Sequence, residues 1–177
     1  ALMDYEPNAY AVNLKTNKSK VFGIVVSTIS NLFYDSFIAA VEEMARKNGY
    51  SLMVLQSGDD PTQEIENLKI CKHNRVDGIF ISVCPDSHAG EIFLKYKEAG
   101  IPVIFFDKIP DTVFFDTVCI ADEEAASIAA QTIINHKKKN VLAIFGNPDH
   151  SITRKRKETF VKAFDKSTKL ETRFCLN

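Results

Sequence analysis

Between Val21 and Val103 the chain repeats one unit: a short apolar run, a turn signal, an amphipathic stretch and a glycine. The repeat recurs every 25 to 30 residues or about that, the beat of strand and helix alternating in a parallel sheet. The runs Val21–Val26, Leu52–Leu55, Ile79–Val83 and Val103–Phe106 are continuous rather than alternating in polarity. Strands covered by helices on both faces read that way. The pattern therefore predicts an α/β fold built on a parallel sheet.

The connecting stretches carry helix punctuation. A first helix is predicted from near Leu32, with Phe33, Phe37, Val41 and Met44 as its buried stripe and Ile38 and Ala45 widening it. Arg46 and Lys47 suit its last turn, and Gly49 its left-handed stop. A second opens at Asp60-Pro61, where aspartate caps, proline takes the first helical position and Gln63 completes a capping-box-like pair. Ile65, Leu68 and Cys71 would then face the sheet. A third spans roughly 88–98, before Gly100 and Pro102 return the chain to a strand.

After Phe106 the beat breaks, and residues 107–117 hold a proline and three aspartates without helical period. It resumes with a strand at Val118–Ile120, a helix capped by Asp122, a strand at Val141–Phe145, a helix from near Ser151 and a last strand at about 172–175. The expected organisation is a leading segment 1–20, a first subdomain 21–117 and a partial second subdomain 118–177. Three parallel strands leave apolar surface uncovered, so the second unit reads as incomplete.

With 177 residues, 45% of them hydrophobic, the chain can bury a core; its net charge of −1 supplies no global field for nucleic acid. Its apolar runs fall far short of the ~20 residues of a membrane helix, and no signal-peptide core leads it. The expectation is a cytoplasmic protein without membrane contact. Cys71, Cys84, Cys119 and Cys175 are scattered without metal-ligand spacing and are expected as reduced, structural thiols.

Ligands of open α/β sheets bind beyond the carboxyl ends of the strands. The first such loop, 27–34, lacks both GxGxxG and GxxxxGK[ST], which argues against a nucleotide-dependent enzyme. The four histidines of the chain are scattered and GxSxG is absent, so no catalytic residue, cofactor or metal is expected. What the strand ends offer is hydroxyls, an amide, the aromatics Phe33 and Tyr34, the carboxyl of Asp107 and the guanidinium groups of Arg154 and Arg156. Aromatic faces, carboxyls and arginine forks are the groups that hold a small polar ligand, most simply a saccharide. Each also has a structural reading: the rings as core, Asp107 as a turn former, 154–157 as a solvated charge run, and Lys137 to Lys139 as a helix end complementing its dipole.

Tyr5-Glu6-Pro7-Asn8, Ala11, Leu14, Lys15-Thr16, Ser19 and Gly23 to Val26 resemble the hinge and first strand of lac-repressor-like (LacI/GalR) transcription regulators. Ile29 to Tyr34, Asn48 to Tyr50, Asp59 to Pro61, Arg75 to Ile79 and Gly100 to Val103 resemble further signatures of that family, in order. At Thr28 and Leu32 the chain differs from the aspartate and proline of many members. The resemblance implies a periplasmic-binding-protein-like core of two similar subdomains, a homodimer, and operator DNA as partner through an upstream helix-turn-helix and the hinge. It assigns Asn8, Ala11 and Leu14 to the hinge, with Leu14 as a minor-groove wedge. It places Ser27, Asn31, Phe33, Tyr34, Asp107 and Arg156 around a small sugar or sugar-derivative effector. A sugar receptor for transport, sharing that core, is the alternative.

Overall fold

In the computed structural model, which describes residues 18–110, 115–164 and 168–175, β1 (Val21–Val26) is the most deeply enclosed strand, with Ile24, Val25 and Val26 wholly buried. It pairs in parallel with β2 (Ser51–Gln56) on one side and β3 (Gly78–Ile81) on the other, and β3 pairs in parallel with β4 (Val103–Phe106). The order β2-β1-β3-β4 makes β2 an edge. Ser51, Val54 and Gln56 of β2 are accordingly exposed, although its apolar run reads like that of a covered strand. Helices α1 (Leu32–Lys47), α2 (Pro61–His73) and α3 (Gly90–Glu98) connect the strands.

The phase of α1 differs from the predicted stripe. Tyr34 and Ala45 are its buried residues, while Phe33 and Met44 stand 47% and 59% exposed. The apolar stripe is wider than the face the sheet covers, and the inward line runs through Tyr34, Phe37, Ile38, Val41 and Ala45. The helix is capped by Asn31, whose side chain accepts from the Phe33 N–H at 2.8 Å.

At the start of α2 the Asp60 side chain accepts from the Thr62 N–H at 2.8 Å, as expected of Asp-Pro. Gln63 does not close a capping box. The Asp60 N–H is already satisfied by the Ser57 carbonyl, and the Gln63 amide donates to Asn67 Oδ1 instead. The inward face of α2 carries Glu64, Asn67, Leu68 and Cys71, with Ile65 only half-buried. Helix α3 begins at Gly90, later than expected, with no side-chain cap.

One glycine is demanded by packing. A Cβ built on Gly23, in the middle of β1, would lie 2.7 Å from Cys71 Sγ and 3.7 Å from Ile79 Cγ1. The thiol of α2 thus packs directly on the β1 backbone, and burial pushes its pKa up to about 11.

The chain divides into two compact units between Phe105 and Phe106, the second of them beginning at Phe106. That unit contains β5 (Asp116–Val118), α4 (Asp122–Asn135), β6 (Asn140–Phe145), α5 (Ser151–Lys162) and β7 (Lys169–Phe174). Strands β6 and β7 form a parallel pair in register from Asn140↔Lys169 to Phe145↔Phe174. Ala126, Ala130 and Phe160 form the centre of its core, with Val141, Ala143 and Phe145 packed against them. Leu142 and Ile144, pointing the other way along β6, remain exposed, as a pair of strands with helices on one face requires. Strand β5 starts and ends earlier than predicted, and its Val118 carbonyl accepts from the Asp107 N–H.

Asp122 is not the cap of α4. The cap position is Ala121, without a side-chain hydrogen bond, and Asp122 occupies the first turn with its carboxyl directed to an arginine of α5. No described helix is long and apolar enough to cross a membrane.

Candidate functional site

Three strand-end loops of the molecule turn on an aspartate. Asp59 after β2, Asp86 after β3 and Asp107 after β4 have φ values of 58°, 51° and 56°, a left-handed backbone that aspartate tolerates better than most residues. These turns bend the chain sharply just beyond the carboxyl ends of the strands, where the polar residues gather.

In the first unit the four predicted site residues sit together on the segment leaving β1. Ser27 is buried, its carbonyl accepting from the Gly58 N–H at 2.9 Å. The Gln56 side chain accepts from the Ile29 N–H at 2.7 Å, so β2 steadies the same loop. Asn31 caps α1. Phe33 offers an exposed ring, set edge-on to Tyr34 with centroids 5.5 Å apart. Tyr34 is only 2% exposed, and its hydroxyl lies 3.0 Å from Ser82 Oγ. Phe33 therefore presents a face to solvent, whereas Tyr34 is a strut between α1 and the end of β3.

The first unit also holds a buried group that the sequence reading passed over. Glu64 of α2 is fully buried; its Oε2 accepts from the Cys84 N–H at 2.6 Å and its Oε1 from the Ser87 hydroxyl. The Cys84 thiol in turn donates to Ser57 Oγ at 3.2 Å, and burial pushes its pKa up to about 12. Glu64 thus clasps the loop after β3 to the helix after β2. Its signal was present, since 64, 68 and 71 share one helical face.

The second unit holds a cleft of about 290 Å³, lined among others by Asp107, Cys119, Asp122, Glu124, Ser151 and Lys155. Asp107 stands on the wall of this cleft. Arg156 reaches it indirectly: its Nε donates to Asp122 Oδ1 at 2.6 Å, and the Asp122 side chain is 11% exposed. The basic run does not behave as a uniform solvated face. Arg154 Nη1 donates to the carbonyls of Pro148 and Asp149, Lys155 lines the cleft, and Lys157 stands over the Phe174 ring at 4.5 Å. Ser151, at the start of α5, donates to the Ile109 carbonyl at 2.9 Å. Among the described residues no cluster of three or more histidine, cysteine, aspartate or glutamate side chains is arranged to hold a metal ion.

Cys119 makes the cleft testable. Its thiol pKa is raised, first by desolvation and then by the nearby carboxyl of Asp122, so its reactive thiolate is scarce at neutral pH. In a Cys175→Ser variant, alkylation of native protein by iodoacetamide is expected to be slower than that of free cysteine at pH 7.5. It should climb as pH rises through and beyond the ordinary thiol range. Cys71 and Cys84, both buried, should react only after unfolding, as mass spectrometry of the alkylated peptides would report.

A family of proteins described as periplasmic binding protein domains matches residues 22–173. The chain belongs to that family. A curated relative of this periplasmic-binding-protein domain is the fructose operon regulatory protein of Vibrio cholerae, 26% identical over 160 residues that make up 90% of this chain and 49% of the relative. Among solved structures, the Cra transcriptional dual regulator of Pseudomonas putida in complex with fructose 1-phosphate superposes with a TM-score of 0.79 at 24% identity, over 89% of this chain and 58% of that one. A periplasmic solute-binding protein of an ABC transporter from Actinobacillus succinogenes, with bound D-allose, reaches 0.79 at 23% identity, over 87% and 58%. The domain spans about half the length of the curated relatives it matches. The resemblance to LacI/GalR regulators and the parallel-sheet fold class are borne out by these relatives.

Proposed function

We propose that the protein carrying this domain is a sugar-responsive, DNA-binding transcription regulator of the cytoplasm, acting as a homodimer, of which this chain supplies the hinge and part of the effector-binding and dimerisation core. The observation that carries the reading is a regulator-like sequence on a binding-protein fold, with hydroxyl, amide and aromatic groups after β1 in the first unit and carboxyl and guanidinium groups in the second. Ser27, Asn31 and Phe33, steadied by the Tyr34–Ser82 contact, supply one set of ligand-facing groups; Asp107 and Arg156 supply the other. Asn8, Ala11 and Leu14, assigned to the hinge, lie outside the described residues.

The mechanism follows from linkage. A ligand that prefers one arrangement of the two subdomains shifts the population toward it, and operator affinity changes by the same coupling free energy that operator exerts on ligand affinity. No bond is made or broken, and no cofactor is required. The relative's D-allose complex supports a second reading, a sugar receptor for transport; the hinge-like run from Tyr5 to Leu14 favours the regulator.

The test is operator binding by the full-length protein, measured by fluorescence anisotropy with and without candidate sugars. At least one sugar is expected to shift operator affinity by about five- to 150-fold. An Arg156→Ala variant should keep operator binding and lose the shift. If no sugar changes operator affinity, or if the full-length protein binds sugar but no DNA, the regulator reading fails.

A further inference from the structure

We infer that Asp77 is the joint by which the first unit holds the leading segment in a fixed direction, and that operator affinity depends on this joint. The inference rests on the regulator reading, which makes residues 1–20 the hinge and its linker, and deepens it by naming the residue that positions them. Asp77 immediately precedes β3, and its carboxyl meets the chain just before β1. Oδ1 accepts from the Ser19 N–H at 2.8 Å and from the Ser19 hydroxyl at 3.1 Å, and Oδ2 accepts from the Lys20 N–H at 3.1 Å. One side chain thus holds two consecutive amides and a hydroxyl.

The same short stretch is gripped from the β2 side. The Lys20 carbonyl accepts from the Ser51 N–H at 2.9 Å, and the Lys20 ammonium stands 4.4 Å over the Tyr50 ring. That ring is itself stacked on Phe22, with centroids 4.3 Å apart. Lys20 has a φ of 58°, a left-handed backbone that persists in a lysine only where its surroundings over-determine it. The sheet is anchored further in, by the wholly buried Ile24, Val25 and Val26, so the clasp acts on what precedes β1 rather than on β1 itself. A bend of fixed direction carries the orientation of the unit into the segment before it. A loose bend lets that segment average over directions, and binding must then restore the order at an entropic cost. Asp77 is therefore a positioning residue for operator binding.

The experiment compares full-length wild type, Asp77→Ala and Ser19→Ala. The operator is a duplex that wild type selects from a random-sequence pool, and the sugars are D-fructose, D-ribose, D-allose and fructose 1-phosphate. Asp77→Ala is expected to weaken operator binding by about three- to 30-fold. The tighter of the two operator-binding states loses most, so the sugar-induced shift should shrink by a similar factor. Sugar affinity without DNA, measured by calorimetry, should stay within about twofold of wild type. Ser19→Ala, which removes only the hydroxyl contacts, should act the same way by a smaller factor, and decides the matter if Asp77→Ala fails to fold. A side chain that only fastens the sheet would lower the melting midpoint and leave operator affinity, read well below that midpoint, unchanged. That result overturns the inference, as does lost operator affinity with an undiminished sugar shift, or an equal loss of sugar affinity without DNA. Each of these leaves the regulator reading standing. A wild type that binds no DNA, or whose operator affinity no sugar changes, overturns that reading and the inference with it.

Discussion

Glu64→Ala is expected to lower the unfolding free energy by about 3 to 5 kcal/mol, because it strands two donors and opens a void in one step. The Cys84 N–H and the Ser87 hydroxyl both lose their acceptor, and Glu64 is fully buried, so water has no ready route to replace it. Glu64→Gln should cost much less, about 1 to 2 kcal/mol. Its amide oxygen still accepts from Cys84, and its NH₂ can donate to Ser87 Oγ once that hydroxyl turns. Urea denaturation of the three proteins, with slopes compared to confirm equal surface exposure on unfolding, measures the differences. Coincident midpoints for wild type and Glu64→Ala would show that the clasp adds nothing to stability.

Gly23→Ala is expected to cost about 1 to 3 kcal/mol, the range of overpacking in a close-packed core. The clash is with a buried sulfur at 2.7 Å rather than with the far end of a flexible chain, so β1 or α2 must shift. Cys71→Ala alone should cost about 1 to 2 kcal/mol through the lost packing. The double variant should be more stable than the sum of the two changes by about 1 kcal/mol or more, since the new methyl moves into space the sulfur vacated. Additivity in a double-mutant cycle would mean that the β1–α2 contact is softer than its geometry implies.

The fold was legible where period and punctuation agree. β1 and β4 coincide with their apolar runs, and Asn31, Asp60 and Gly49 stand where capping and chain reversal need them. Legibility failed where one residue type has two uses. The apolar stripe of α1 is broader than its buried face, so sequence alone does not choose between Phe33 and Tyr34 as the inward ring. Asp122 has the form of a cap, yet its partner is an arginine on the next helix, and sequence separation carries no trace of that pairing. Gln63 fits a capping box on paper, but the amide it would have satisfied is taken by Ser57. Of the site, the strand-end addresses were readable, whereas the neutralisation of Arg156 and the burial of Glu64 belong to tertiary structure.

The aspartates at the turns after β2, β3 and β4 restrict how such a protein can diversify. Each stands where a branched side chain strains the main chain and glycine or asparagine does not. Sequence change therefore has freer rein at neighbours such as Pro85 and Lys108 than at the aspartates or at Gly58, whose own φ is 64°, and a diverging lineage would keep the bends while rewriting what lies beside them.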